Sequence, residues 1–241
     1  MATYNTIFVA AFTFKTLLAP DSLLNIVHIT NAPTNVQLAQ QILEQAQQTQ
    51  QGRARLALVA AIMDESGWSD PLGSEPAPTD EATRLANQLG MLQSVGLSFA
   101  FGDGRVDIEQ RAGGNPSGNV GVDYSQLLAN SRNRDEVQAL YQQAGLDLNQ
   151  DLGVLAHAPR ITYDKNGLAY LENNVTLTGN LQIPVVTPHT TGDTEAQVEQ
   201  ERAYAEPASK ALAIRKAPGP WCNALKRMAL SICDAVIGIW P

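Results

Sequence analysis

The chain has 241 residues, 44% of them hydrophobic and 17% charged, with 18 Gly and two Cys. That composition excludes a wholly disordered chain, a disulfide-framed scaffold and a cysteine-rich zinc module. A net charge of −8 argues against nucleic acid as a partner, because phosphate binding needs clustered Lys and Arg.

Residues 5–19 suit a helix, with Phe8, Phe12 and Lys15 at helical spacing and Pro20 as its stop. A short apolar stretch of open type runs from Leu23 to Ile29. Thr34 and Gln37 have capping-box spacing, which predicts a helix running to Gln51 with Leu38, Ile42, Leu43 and Ala46 inward. Eight Gln fall between 37 and 51; since Leu and Ile keep their period, they read as a solvated helix face rather than a prion-like tract. Gly52 is expected to end that helix, and Arg53 to Met63 to continue as the next.

Residues 66–78 hold three Pro and read as a loop. Thr79 and Asp80 start a helix with Leu85, Leu89, Leu92 and Val95 on one face. The Gly-rich run 102–121 is expected to be a surface loop. It carries neither GxGxxG nor a Gly-Lys-Ser/Thr phosphate motif, and Asp103 and Asp107 do not form a calcium loop. Asn133 and Glu136 form a second capping box ahead of Val137, Leu140, Tyr141 and Ala144, closed by Gly145. Short helices are predicted near 150–156 and 163–173.

From Val175 the pattern changes. Leu181 to Thr187 reads as a buried strand, with Pro184 at its start or at an edge. A polar loop reaches Asp193, and residues 195–206 read as a helix. From Pro207 onward five basic residues and one acidic residue give a net +4, leaving −12 for residues 1–206. From Pro220, which suits a first helical position, Trp221, Leu225, Met228, Ile232, Val236 and Ile239 make one apolar stripe. Cys222 and Cys233 on one helix would lie ~16 Å apart along its axis, too far to pair.

Few side chains here suit catalysis. Ser117 lies in Gly-Asn-Pro-Ser-Gly, which is not the GxSxG nucleophile elbow. His28 and His157 sit on apolar stretches and read as structural or surface histidines. No metal or cofactor site is read, and no cofactor is expected. No apolar run is long enough for a membrane span, and the apolar N-terminus lacks the basic flank of a signal peptide. A soluble, cytoplasmic chain is therefore expected.

The segment Leu181-Gln-Ile-Pro-Val-Val-Thr-Pro-His-Thr-Thr-Gly-Asp193, followed by a helix with Glu201-Arg-Ala-Tyr204, resembles the acid-bearing strand and loop of a bacterial α/β-hydrolase family. The resemblance continues upstream in Phe12-Thr-Phe-Lys-Thr-Leu-Leu-Ala-Pro20, Gly52-Arg-Ala-Arg-Leu-Ala-Leu, Ala112-Gly-Gly-Asn-Pro-Ser117, Gly121-Val-Asp-Tyr124 and Ala139-Leu-Tyr-Gln-Gln-Ala-Gly-Leu-Asp147, which look like that family's helical cap and flanks. It covers roughly residues 4–206.

The resemblance implies a mostly α fold with a small β element, the residual strands of an α/β-hydrolase sheet, and a helical cap. The corresponding domains are 1–174 (cap and flanking segment), 175–206 (acid-bearing strand, loop and helix) and 207–241 (divergent tail with an amphipathic helix). It also implies that Asp193 is the acid of a Ser-His-Asp triad for ester or amide hydrolysis. The sequence has no GxSxG, and no histidine follows Asp193. The expectation is a truncated hydrolase, inactive alone. The alternatives are a helical interaction module reusing a cap scaffold, or a hydrolase pairing Ser117 with His157 or His189 or completed by a partner chain. Self-association is expected through an exposed strand edge or the 220–239 helix.

Overall fold

The computed structural model describes residues 2–67, 80–174, 178–179 and 204–208. The chain divides into two units, Met1–Val175 and Thr176–Pro241. The described residues of the second unit include a helical stretch at 204–208.

The first unit is built from helices. They are α1 (Ala2–Leu18), α2 (Ala32–Gln47), α3 (Gln50–Met63), α4 (Glu81–Met91), a π-helical turn (Leu92–Gly96), α5 (Leu97–Phe101), α6 (Asp103–Ala112), α7 (Tyr124–Asn130), α8 (Arg134–Gln143), α9 (Leu148–His157) and α10 (Lys165–Asn174). The expected small β element is corrected here: among the described residues all regular structure is helical and no strand occurs. The physical reason is that each apolar stripe is covered by another helix, so backbone polar groups pair within helices and turns. The residues expected to form the strand, 182–188, and the tail helix, 220–239, lie outside the described residues.

Helix α3 occupies the centre and packs against α1, α2, α4, α7 and α8. Its sequence explains why. Ala54, Leu56, Ala57, Leu58, Val59, Ala60, Ala61 and Ile62 are all buried, so from Leu56 to Ile62 the helix is apolar on every side and needs cover on every side. The many alanines let neighbouring axes come close. Helix α1 supplies the bulk that alanine lacks, with Phe8, Phe12 and Phe14 buried. Phe12 stacks on Tyr124 at 6.2 Å and Phe14 tilts against Phe101 at 5.3 Å.

Several helix ends follow local chemistry. Lys15 donates to the Ala19 carbonyl (2.9 Å) and the Pro20 carbonyl (3.2 Å), satisfying acceptors exposed at the end of α1. The cap of α2 lies three residues earlier than predicted: Asn31, not Thr34, accepts from the Thr34 N–H at 3.1 Å. Asp80 caps α4 by accepting from the Thr83 N–H at 2.8 Å. Gly145, at φ 65, closes α8 as its sequence position predicts.

Two glycine readings change. Gly52 does not end a helix. Thr49 caps α3, accepting from the Gly52 N–H at 2.9 Å, and Gly52 is buried in the first turn. The Gly-rich run is not a surface loop either. Its first half is α6, and its second half holds buried Asn115, Ser117 and Asn119. Asn133 likewise makes no side-chain cap. Its amide donates to the Glu65 carbonyl instead, beside Gln88, which donates to that same carbonyl (3.2 Å) and to the Glu136 carboxylate (3.3 Å).

The turn after α3 gives a pH-dependent expectation. Asp64 holds a left-handed conformation, φ 64 and ψ 30. Burial raises its carboxyl pKa, partly countered by Arg132. The folded state thus binds the proton more tightly than the unfolded chain, so stability falls as pH rises through the raised pKa, and the ionised side chain costs stability at neutral pH. Asparagine accepts the same backbone conformation without the charge. Asp64→Asn is expected to melt slightly higher than the parent chain at pH 7. The gain should vanish below about pH 4, where the acid is protonated in both states. Thermal melts at the two pH values check this, and a variant less stable at pH 7 would contradict it.

Candidate functional site

The polar centre of the helical unit forms where α6 meets the loop after it. Asp103 follows Gly102, and α6 carries Arg105 and Glu109 one turn apart, so both project from one face. Arg105 is only 5% exposed. Its Nε donates to Glu109 at 2.9 Å, Nη1 donates to the Ser117 hydroxyl at 2.9 Å, and Nη2 donates to Asn115 Oδ1. The guanidinium also stacks over the Phe8 ring at 5.1 Å. Burial lowers the Arg105 pKa against the opposing pull of Glu109.

The loop is held from its other side by backbone-like contacts. The Asn115 amide donates to the Ser117 and Thr162 carbonyls, both at 2.9 Å, and the Asn115 N–H donates to Asp164 at 2.8 Å. Asn119 joins the Ile161 backbone and donates to the Tyr124 hydroxyl at 3.0 Å. Gly167 allows α10 to close over this loop, since a Cβ there would lie 2.6 Å from the Asn115 carbonyl oxygen. The cluster is therefore a satisfied buried network rather than a mobile loop.

Ser117 is 1% exposed, and its hydroxyl is occupied by Arg105. Neither described histidine reaches a serine. His157 is exposed, and its Nδ1 is bonded to the Gly153 carbonyl at 2.7 Å. His28 is exposed at φ 51, and its backbone N–H donates to Glu109 at 2.9 Å. The Ser117–His157 pairing is thus not assembled. Asp193 and His189 lie outside the described residues, as do Cys222 and Cys233.

Sequence reasoning passed over Arg105 and Glu109. Their i, i+4 spacing was the available signal, hidden by the glycines on either side. A second ionic cluster sits elsewhere. Arg55 binds Asp151 through Nε at 2.8 Å and Nη2 at 3.1 Å, and the Tyr141 hydroxyl donates to the same carboxylate at 2.9 Å. Burial and the neighbouring Asp151 push the Tyr141 pKa up, while the Asp151 hydrogen bond raises that of Arg55. This bidentate pair ties α3 to α9 and α8 and is structural in character.

On the outer side of Arg105 lies a shallow groove between α1, α5 and α6. Ile7, Phe8, Phe99, Gly104, Arg105 and Ile108 line it. Phe99 is 51% exposed although large and apolar. Among the described residues no group of three or more His, Cys, Asp or Glu could hold a metal ion. Among them, too, no helix is long and apolar enough to cross a membrane.

No family model matches the chain. It is similar to a protein named o-phthalyl amidase from Xanthobacter agilis, with 29% identity over 175 residues, 67% of this chain and 36% of that protein. The matched region thus spans about a third of that relative's length. The relative is a distant one, and it is a hydrolase by name. No solved structure matches.

Proposed function

We propose that this chain is the helical portion of an amidase-type hydrolase of α/β-hydrolase ancestry, and that it does not turn over amides by itself. The observation that carries the reading is the 29% identity to an amidase over 175 residues. Within the proposal, residues 1–174 enclose the acyl group, residues 175–206 carry Asp193 in the position of the triad acid, and residues 207–241 are a divergent tail. No cofactor is invoked.

The inactivity follows from the chemistry of the nucleophile. A serine attacks an amide only when a base within hydrogen-bond reach takes its proton. The Ser117 hydroxyl instead accepts a hydrogen bond from Arg105, a group that has no lone pair to take its proton, in a place closed to substrate. Residual catalysis through an oxyanion hole is also unsupported, since that hole is partly built from the residue after the nucleophile.

The name of the relative suggests the substrate class. An o-phthalyl amide joins a benzene ring to an amide with a carboxylate at the neighbouring ring position. Incubating the purified chain with such an amide and measuring amine release tests the proposal. The expected result is release at the buffer rate, the same for the parent chain and for Ser117→Ala.

A further inference from the structure

We propose that Asn166 is a site of non-enzymatic modification: its side-chain amide is lost through attack by the Gly167 backbone nitrogen, leaving aspartate and isoaspartate at the start of α10. The inference does not depend on the amidase reading.

Asparagine is a thermolabile side chain, and its loss needs a nitrogen that is open to attack, free of a hydrogen bond and near water. Asn166-Gly167 is the one Asn-Gly pair in the sequence, and glycine has no side chain to screen its nitrogen. Both residues lie in the first turn of α10, where backbone N–H groups have no acceptor within the helix. An aspartate just before such a turn ordinarily caps it. Here the Asp164 carboxylate accepts from the Asn115 N–H at 2.8 Å instead. Among the described residues nothing accepts from the Gly167 N–H, and the exposed Asn166 side chain makes no hydrogen bond. The neighbouring asparagines are protected. Asn115 precedes Pro116, which has no N–H, and the Asn119 amide is bonded to the Tyr124 hydroxyl at 3.0 Å.

In the first step the Gly167 nitrogen gives up its proton and bonds to Asn166 Cγ. The Cγ–Nδ2 bond breaks, ammonia leaves, and a five-membered succinimide closes. Water then opens the ring at one carbonyl or the other, giving aspartate or isoaspartate. Helical backbone holds Cγ away from the nitrogen, so the first turn must open. The bond from the Leu168 N–H to the Asp164 carbonyl, 2.9 Å, closes that turn, and helix ends fray at low cost.

The two products fit differently. Aspartate places a carboxylate at a helix N-terminus, which favours negative charge. Isoaspartate puts Cβ into the main chain beside Gly167, which is buried. Space there is already short: a Cβ on Gly167 would lie 2.6 Å from the Asn115 carbonyl oxygen and 2.9 Å from the Pro116 Cα. The isoaspartyl form therefore loosens α10 from the loop that carries Asn115.

The test is to hold the purified full chain at mildly alkaline pH, in buffer and in guanidinium, and to map its peptides by mass over time. Asn166→Gln and Asn166→Asp are run beside it. The peptide holding Asn166 is expected to gain the mass of an NH2-to-OH exchange, with isoaspartate among the products. In buffer it should do so within roughly a hundredfold of the rate in guanidinium, the cost of a local opening rather than of global unfolding. Asn166→Gln should show no change at that position. The isoaspartyl fraction, separated by chromatography, is expected to melt about 2–4 °C below Asn166→Asp. Conversion in guanidinium with none in buffer would overturn the proposal, and so would conversion spread evenly over the exposed asparagines. An isoaspartyl fraction that melts with Asn166→Asp would overturn the loosening of α10.

Discussion

Replacing Arg105 with alanine is expected to lower the melting temperature by about 10 °C or more. Breaking a buried ion pair by removing one partner costs roughly 3–5 kcal/mol, because the other charge stays buried. In a chain of this size each kcal/mol shifts the midpoint by roughly 2–4 °C. Here the loss goes further than one pair. Glu109 keeps the His28 N–H but loses its cation, the Ser117 hydroxyl and Asn115 Oδ1 each lose a donor, and Phe8 loses its stacked guanidinium. Lysine should rescue only part, since one ammonium group cannot fork to Glu109, Ser117 and Asn115 together. The double change Arg105→Met with Glu109→Gln should recover part of the loss, because no uncompensated charge then remains. A melting curve for each variant checks this. An alanine variant within a degree or two of the parent chain would mean that the network does not hold the loop.

Gly52→Ala is the second large effect, and its sign distinguishes two accounts. If Gly52 were an ordinary helical glycine, alanine would stabilise the chain by about 1 kcal/mol. In this fold a Cβ at position 52 would lie 2.0 Å from the Ala46 carbonyl oxygen and 2.7 Å from the Ala46 Cα. Those atoms are backbone and have no rotamer to escape into. The two-residue turn at Gln48 and Thr49 holds the end of α2 against the start of α3, so relief requires moving one helix. Overpacking of this kind costs roughly 1–3 kcal/mol and more where backbone must shift. A drop of about 2–12 °C is expected from thermal melts. A rise would contradict the close α2–α3 approach.

The helical body was largely legible from periodicity. The apolar stripes in α1 and α8, the Asp80 cap and the Gly145 stop are local signals, and the structure places them as read, whereas the stripe that starts at Leu85 outruns α4, with Leu92 and Val95 in the π-helical turn. What escaped depended on contacts between distant segments. Gly52 and Gly102 look like punctuation in sequence. In the fold they admit Ala46 and Val36, and a Cβ at 102 would lie 2.6 Å from the Val36 methyl. Composition therefore suggested a loop where α6 forms. Asn133 stands at a helix start with capping-box spacing, but the Glu65 carbonyl, 68 positions away in sequence, takes its side chain. The expectation of a β element was carried by residues 182–188, and the described residues contain no strand.

The candidate site was less legible. Ser117 drew attention by residue type, although its hydroxyl serves the Arg105 network. Arg105 gained its meaning only through Phe8, Asn115 and Ser117, which α1 and the loop after α6 bring to it. A single arginine among glycines has no period to mark it.

The most direct test of the functional account is the rate at which the purified full chain releases amine from an o-phthalyl amide. The account predicts release indistinguishable from buffer, with no difference among the parent chain, Ser117→Ala and Asp193→Asn. Turnover by the parent chain that is lost in either variant would contradict it.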